Sequence, residues 1–125
     1  MIVGTGIDLC EVPRIKEAIA RHGDRFKQRV FTEREITYAE RKANPYERYA
    51  ARFAAKEAGM KALGTGWRGG IAWRDFEVAN LPSGRPTLVF YGKAAEIAAE
   101  MSVRNVTLSV THTRDQAMAL VILES

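Results

Sequence analysis

Arg52-Phe53-Ala54-Ala55-Lys56-Glu57-Ala58-Gly59-Met60-Lys61-Ala62 reads as a helix interior, yet it seats charge where such a helix keeps apolar groups. At 100° per residue, Tyr49, Phe53, Met60 and Leu63 form one apolar stripe. Lys56 falls inside that stripe and Glu57 on its border. Ionised groups placed there lose hydration, at a cost on the order of several kcal/mol, unless a partner or a metal compensates. Gly59 adds about 1 kcal/mol relative to alanine in a helix interior. Local rules broken in this way mark either a site or a structural ion pair. For Lys56 the structural role is preferred, as a buried ion pair or a snorkelling stem.

Working outward, Asn44-Pro45 starts the long helix and Gly64-Thr65-Gly66 ends it, giving a span of about 45–63. Upstream, residues 1–10 read as a strand. Pro13 opens a helix and Gly23 closes it, and Thr32 with Glu35 is a capping-box signature for another over about 32–43. Downstream, 73–78 and 87–91 read as strands around the turn Leu81-Pro82-Ser83-Gly84. A helix over about 93–101 follows, then strands 106–111 and 118–123 joined by Thr113-Arg114-Asp115. The expectation is an α+β fold, one small domain over 1–125, with an antiparallel sheet packed against the long helix.

Composition agrees. The 125 residues are 46% hydrophobic and 27% charged, which suits a single folded domain rather than a disordered chain. No apolar run approaches the ~20 residues needed to cross a bilayer, and no leader segment is read. With Cys10 as its one cysteine, the chain cannot form an internal disulfide, so a cytoplasmic protein without a membrane partner is expected. Cys10 lies in an apolar strand and reads as a small buried side chain rather than a nucleophile.

The net charge of +4 is unevenly distributed: Arg14, Lys16, Arg21, Arg25, Lys27 and Arg29 crowd residues 13–29. Such a bias favours an acidic partner, whether nucleic acid, anionic surface or acidic protein. Arg14 and Arg21 are seven residues apart and share a helix face, which Arg25 extends if the helix continues past Gly23. A nucleic-acid-binding module is the competing class. Against it, the aromatics do not interleave with the basic cluster, and no zinc knuckle or RNP signature is present.

Asp8 is the second oddity, an acid in the apolar run Gly6-Ile7-Asp8-Leu9, on the strand face it shares with Gly4 and Gly6. Those glycines would let another backbone or a ligand approach closely. A carboxylate there needs a cation, a donor or water. If the first strand packs on the long helix, Asp8 and Glu57 can meet. Two carboxylates completed by waters and substrate phosphates are how Mg²⁺ is usually held. The plainer alternative pairs Glu57 with Lys61 one turn on.

At these residues the chain resembles a known family. Gly6-Ile7-Asp8-Leu9 with Val12-Pro13-Arg14-Ile15, then Phe31-Thr32-Glu33-Arg34-Glu35, then the 52–62 run with Gly64-Thr65-Gly66, and Ser109-Val110-Thr111-His112 are similar to the holo-[acyl-carrier-protein] synthases. These are the small bacterial-type branch of the 4′-phosphopantetheinyl transferases. The likeness runs end to end. It implies transfer of the phosphopantetheine arm of coenzyme A to a serine of apo acyl carrier protein, releasing adenosine 3′,5′-bisphosphate, in support of fatty-acid synthesis.

Residue by residue, the resemblance implies that Asp8 and Glu57 hold Mg²⁺ and that Lys61 stands near the phosphates as an electrostatic stabiliser. Glu57, or a water held by the metal and Asp8, is the expected general base. Arg52, Lys61, Gly64, Thr65 and His112 are expected at coenzyme A, the glycines by offering unobstructed amides. Arg14, Arg21 and Arg25 are expected to dock the acidic carrier. A homotrimer with sites at subunit interfaces is a further implication. A non-catalytic scaffold is the third class, and the presence of Asp8, Glu57 and Lys61 together argues against it.

Overall fold

Two glycines at alternate positions of the first strand determine how the chain packs. In the computed structural model, which describes residues 1–66 and 69–125, β1 (Ile2–Glu11) lies directly on α4 (Tyr46–Leu63). A Cβ on Gly4 would stand 2.1 Å from the carbonyl oxygen of Ala62, and one on Gly6 1.9 Å from that of Ala58. No side chain fits in that space, so the strand backbone rests on the helix backbone. The sequence left open whether those glycines admit a ligand or another backbone; they admit α4.

The chain continues through α1 (Val12–His22), α2 (Asp24–Val30) and α3 (Glu33–Ala39) before α4. After it come β2 (Phe76–Asn80), β3 (Pro86–Phe90), α5 (Gly92–Glu100), β4 (Asn105–His112) and β5 (Gln116–Glu124). β1, β5 and β4 form an antiparallel sheet in that order, and β2 and β3 form a separate hairpin. Along β5 the inward residues Ala117, Ala119, Val121 and Leu123 are buried, while Met118 and Leu120 face outward and are exposed. Opposite them on β1, Leu9 and Ile7 are 53% and 55% exposed, so the sheet's outer face is apolar and uncovered. Among the described residues, no helix is long and apolar enough to cross a membrane.

On its other side α4 receives the hairpin. A Cβ on Gly59 would meet Leu88 Cδ2 at 2.7 Å and Phe76 Cδ1 at 3.1 Å, so its missing side chain makes room for β2 and β3. The helix is consequently buried almost all round, with Ala50, Ala54, Ala55, Ala58 and Ala62 joining Tyr49, Met60 and Leu63 in the core. The expected single stripe is therefore corrected: α4 is a central axis, and Phe53 is only half-buried.

Lys56 takes the structural role. It is fully buried, 2.7 Å from Glu35, and also donates to the carbonyls of Phe76 and, at 3.3 Å, Trp73. Burial pulls its pKa down, and Glu35 opposes that pull. Glu35 accepts in turn from the amides of Thr32 (2.9 Å) and Val78 (2.7 Å), so one carboxylate joins the α3 cap, α4 and β2. Removing one partner of such a pair costs about 3–5 kcal/mol.

Three boundaries differ from expectation. A separate helix, α2, follows Gly23, whose φ of 56° and ψ of −134° break the path of α1; it buries Val30 and packs Phe26 against Phe31. The capping box at Thr32 is present, but α3 stops at Ala39. Residues 73–75 form a 3₁₀ turn, with strand pairing beginning at Phe76.

Gly6→Ala is expected to destabilise the protein by about 3 kcal/mol or more, because its methyl meets backbone that cannot rotate aside. Urea unfolding followed by circular dichroism measures this, with a lower midpoint at unchanged slope as the expected result.

Candidate active site

The contact between β1 and α4 places Asp8 beside the last two turns of the helix. Lys61 Nζ lies 3.1 Å from Asp8 Oδ1 and donates to the Ile7 carbonyl at 3.0 Å. Lys61 thus selects Asp8 over Glu57, and the plain helix pair considered from sequence does not form. Among the described residues Glu57 has no ion-pair partner. Asp8 and Glu57 share a cleft of about 300 Å³ with Arg14, Cys10 and Phe53.

Burial raises the pKa of Glu57 above the usual carboxylate range; Asp8 adds to the rise and Lys61 offsets part of it. Cys10 is pushed up to about 11, first by burial and then by Asp8, which keeps it an inert thiol as expected. The donor set suits a hard divalent cation. Asp8 disfavours the charge of Glu57 beside it, and among the described residues no group of three acids, histidines or cysteines is placed to hold a metal ion by itself. An ion there would complete its shell from phosphate oxygens and water, as Mg²⁺ does.

A second charged cluster occupies the opposite side of α4. Arg52 precedes Lys61 by nine residues, which is half a turn around the helix. It opens on a cleft of about 310 Å³ lined also by Tyr38, Arg48, Asn80, Pro86 and His112. His112 ends β4 and holds Nδ1 3.3 Å from Glu47 Oε1. Burial lowers the pKa of Arg52, and its Nε has no hydrogen-bond partner among the described residues. The structure therefore brings Asp8, Glu57 and Lys61 together, and Arg52 and His112 together, on two faces of one buried helix.

Gly64 caps α4 in the left-handed conformation (φ 76°), and its amide is bonded to the carbonyls of Met60 and Lys61. The Thr65 hydroxyl donates to the Gly66 carbonyl at 3.4 Å. Both residues sit at the Lys61 end of the helix. Arg14 and Arg21 share the exposed face of α1, with Arg21 3.1 Å from Glu17, and Arg14 also reaches the carboxylate cleft. Arg25 lies on α2, beyond the break at Gly23, so it does not extend the α1 line as the same helix. Sequence reading missed Tyr38 and Arg48 in the second cleft. The i,i+4 spacing of Arg48 and Arg52 was their only sequence signal.

Residues 4–121 match the model of the 4′-phosphopantetheinyl transferase superfamily. The chain is 62% identical to a holo-[acyl-carrier-protein] synthase of Solibacter usitatus over the full length of both. It is 60% identical to one of Koribacter versatilis over 99% of each. Among solved structures, the synthase of Neisseria meningitidis superposes with a TM-score of 0.90 at 31% identity, covering both chains completely. The Bacillus anthracis synthase, in complex with CoA (3′,5′-ADP), gives 0.82 at 38% identity over 100% of this chain and 98% of that one.

The raised Glu57 carboxyl has a stability consequence. A carboxyl whose folded pKa exceeds its unfolded value contributes stability below the unfolded pKa and loses it as pH rises through the folded one. Above that folded pKa, without divalent cation, ionised Glu57 is a burden that glutamine removes. Glu57→Gln should then melt higher than the parent protein in chelator by scanning calorimetry, with the difference shrinking toward pH 4.

Proposed function

The chain belongs to the 4′-phosphopantetheinyl transferase superfamily, and we propose that it carries the 4′-phosphopantetheine arm of coenzyme A to a serine of apo acyl carrier protein with the aid of Mg²⁺ held by Asp8 and Glu57. It is an enzyme of the holo-[acyl-carrier-protein] synthase kind, rather than the nucleic-acid module that its basic character also allowed. The observation that carries the reading is the shared cleft of Asp8 and Glu57, with Lys61 at its edge.

In the reaction the serine oxygen forms a bond to the phosphorus bearing the pantetheine arm. The bond from that phosphorus to the bridging oxygen breaks, and adenosine 3′,5′-bisphosphate leaves. When bound, the cation supplies positive charge to the diphosphate as negative charge shifts to the leaving oxygen. Lys61 is anchored on Asp8 and Ile7 and offers its ammonium to the same oxygens. Glu57 is the cleft carboxylate not engaged by Lys61, and it takes the serine proton. Gly64 and Thr65 close the Lys61 end of the site. Arg14 borders both the cleft and the exposed basic face of α1, so a carrier docked on Arg14, Arg21 and Arg25 presents its serine toward Asp8.

Coenzyme A is longer than either cleft, and its adenosine end suits the Arg52 and His112 side. Those residues and Lys61 are separated by a buried helix, so one ligand reaches both sets only when they come from different copies of the chain. The outer sheet face supports such assembly: Ile7 pairs across to Leu120 and Leu9 to Met118, an uncovered apolar row. A homotrimer with sites at its subunit interfaces, working in the cytoplasm for fatty-acid synthesis, completes the proposal.

Two experiments test it. Asp8→Ala and Glu57→Ala should each lower transfer by on the order of 10²–10³-fold, read as the carrier's mass gain with coenzyme A and Mg²⁺; undiminished transfer by both would refute the cation role. Leu120→Arg should reduce the mass seen by light scattering to that of one chain and abolish transfer. Full activity from a monomer would refute the shared site.

A further inference from the structure

The basic residues of α2 divide between two tasks. Arg25 and Arg29 are four residues apart and exposed, and among the described residues neither forms an ion pair. Lys27 turns the other way. Its side chain is only 19% exposed, and its Nζ lies 2.8 Å from Glu40 Oε2 and 5.7 Å from the centroid of the Tyr49 ring. The same carboxylate oxygen accepts from the Tyr49 hydroxyl. Tyr49 is fully buried on α4, and Glu40 directly follows the last turn of α3. Lys27 first, and then Tyr49, hold the Glu40 carboxyl below the usual carboxylate range. One acid therefore joins α2, α3 and α4.

Little else fixes the pose of α2. It is seven residues long, its start at Gly23 has no side-chain cap, and Val30 is its only fully buried residue. A helix of that length does not persist alone in water. Phe26, next to Lys27, lines the carboxylate cleft and packs edge-on against Phe31 at 6.2 Å. The direction in which Lys27 is pulled thus sets where Phe26 stands beside Asp8 and Glu57, and how Arg25 is presented. A partly exposed ion pair adds little to the stability of a whole domain. It suffices to choose one orientation of a short helix.

We propose that Glu40 is a positioning residue for the transfer reaction: braced by Tyr49, it grips Lys27 and so holds α2 with Arg25 facing the carrier and Phe26 in the wall of the carboxylate cleft. The proposal rests on the reading that the carrier docks on Arg14, Arg21 and Arg25. It gives an acid a favourable part in recognising an acidic partner. Simple electrostatics predicts the reverse, because removing Glu40 makes the basic face more positive. The carrier, once bound, holds α2 itself, so the loss of this preorganisation falls on KM rather than on kcat.

Steady-state transfer with the carrier varied at saturating coenzyme A, at one ionic strength, tests this. Glu40→Gln should raise the KM for the carrier about fivefold, with kcat and the KM for coenzyme A unchanged. Lys27→Met should do the same, and the double variant should be no worse than either alone. Tyr49→Phe alters no charge and should move the same constant in the same direction. A general packing defect would instead lower kcat or weaken both substrates together, and that result overturns the proposal. A carrier KM that falls or stays level in Glu40→Gln overturns it too. If Arg25→Gln raises that KM in the same assay, the docking reading survives the failure; if it does not, both are wrong.

Discussion

The structure depends on a backbone-to-backbone contact. Gly4 and Gly6 let β1 lie against the carbonyls of Ala58 and Ala62 with no side chain between them. That approach fixes the height of the strand along α4, and with it the point where Asp8 arrives. A strand with ordinary residues at those positions would have to stand off from the helix by a side-chain layer, and Asp8 would lose Lys61. The chemistry of the first cleft is therefore set two and four residues upstream, by atoms that are absent.

From that contact α4 acquires its role as an axis. Its small residues admit β1 on one side, Gly59 admits the hairpin on another, and Lys56 is sealed in by Glu35. What remains of its polar surface emerges in two places, at Glu57 and Lys61 on one face and at Arg48 and Arg52 on the other. Burying the middle of the helix separates the two charge clusters.

Much of this was legible in the sequence because it was written in local exceptions. Lys56 inside an apolar stripe, Asp8 in an apolar strand and paired glycines on one strand face each signalled a particular need. The structure meets those needs with Glu35, with Lys61 and with α4. Other features were hidden because their causes are not local. Glu35 reads as a helix cap, and nothing near it in sequence announces Lys56 or Val78. Helix α2 follows a glycine that also serves as a stop signal, so its seven residues were passed over. Tyr38 has no unusual neighbour; only the fold sets its ring beneath two arginines. Glu57 remained ambiguous with Lys61 at i+4, since the sequence cannot show that Lys61 turns instead to the strand.

The Glu35 carboxylate completes the N-terminal box of α3 while also receiving the Val78 amide and the Lys56 ammonium. A seven-residue helix is too short to persist alone in water, and here its first turn shares an acceptor with a strand 43 residues away. Local and distant order are thereby bound into one event. Fraying at Thr32 loosens the edge of the hairpin, and opening the hairpin strips the helix of its anchor. Amide protons in both places should consequently exchange with solvent as a single cooperative unit rather than as a floppy helix beside a firm sheet.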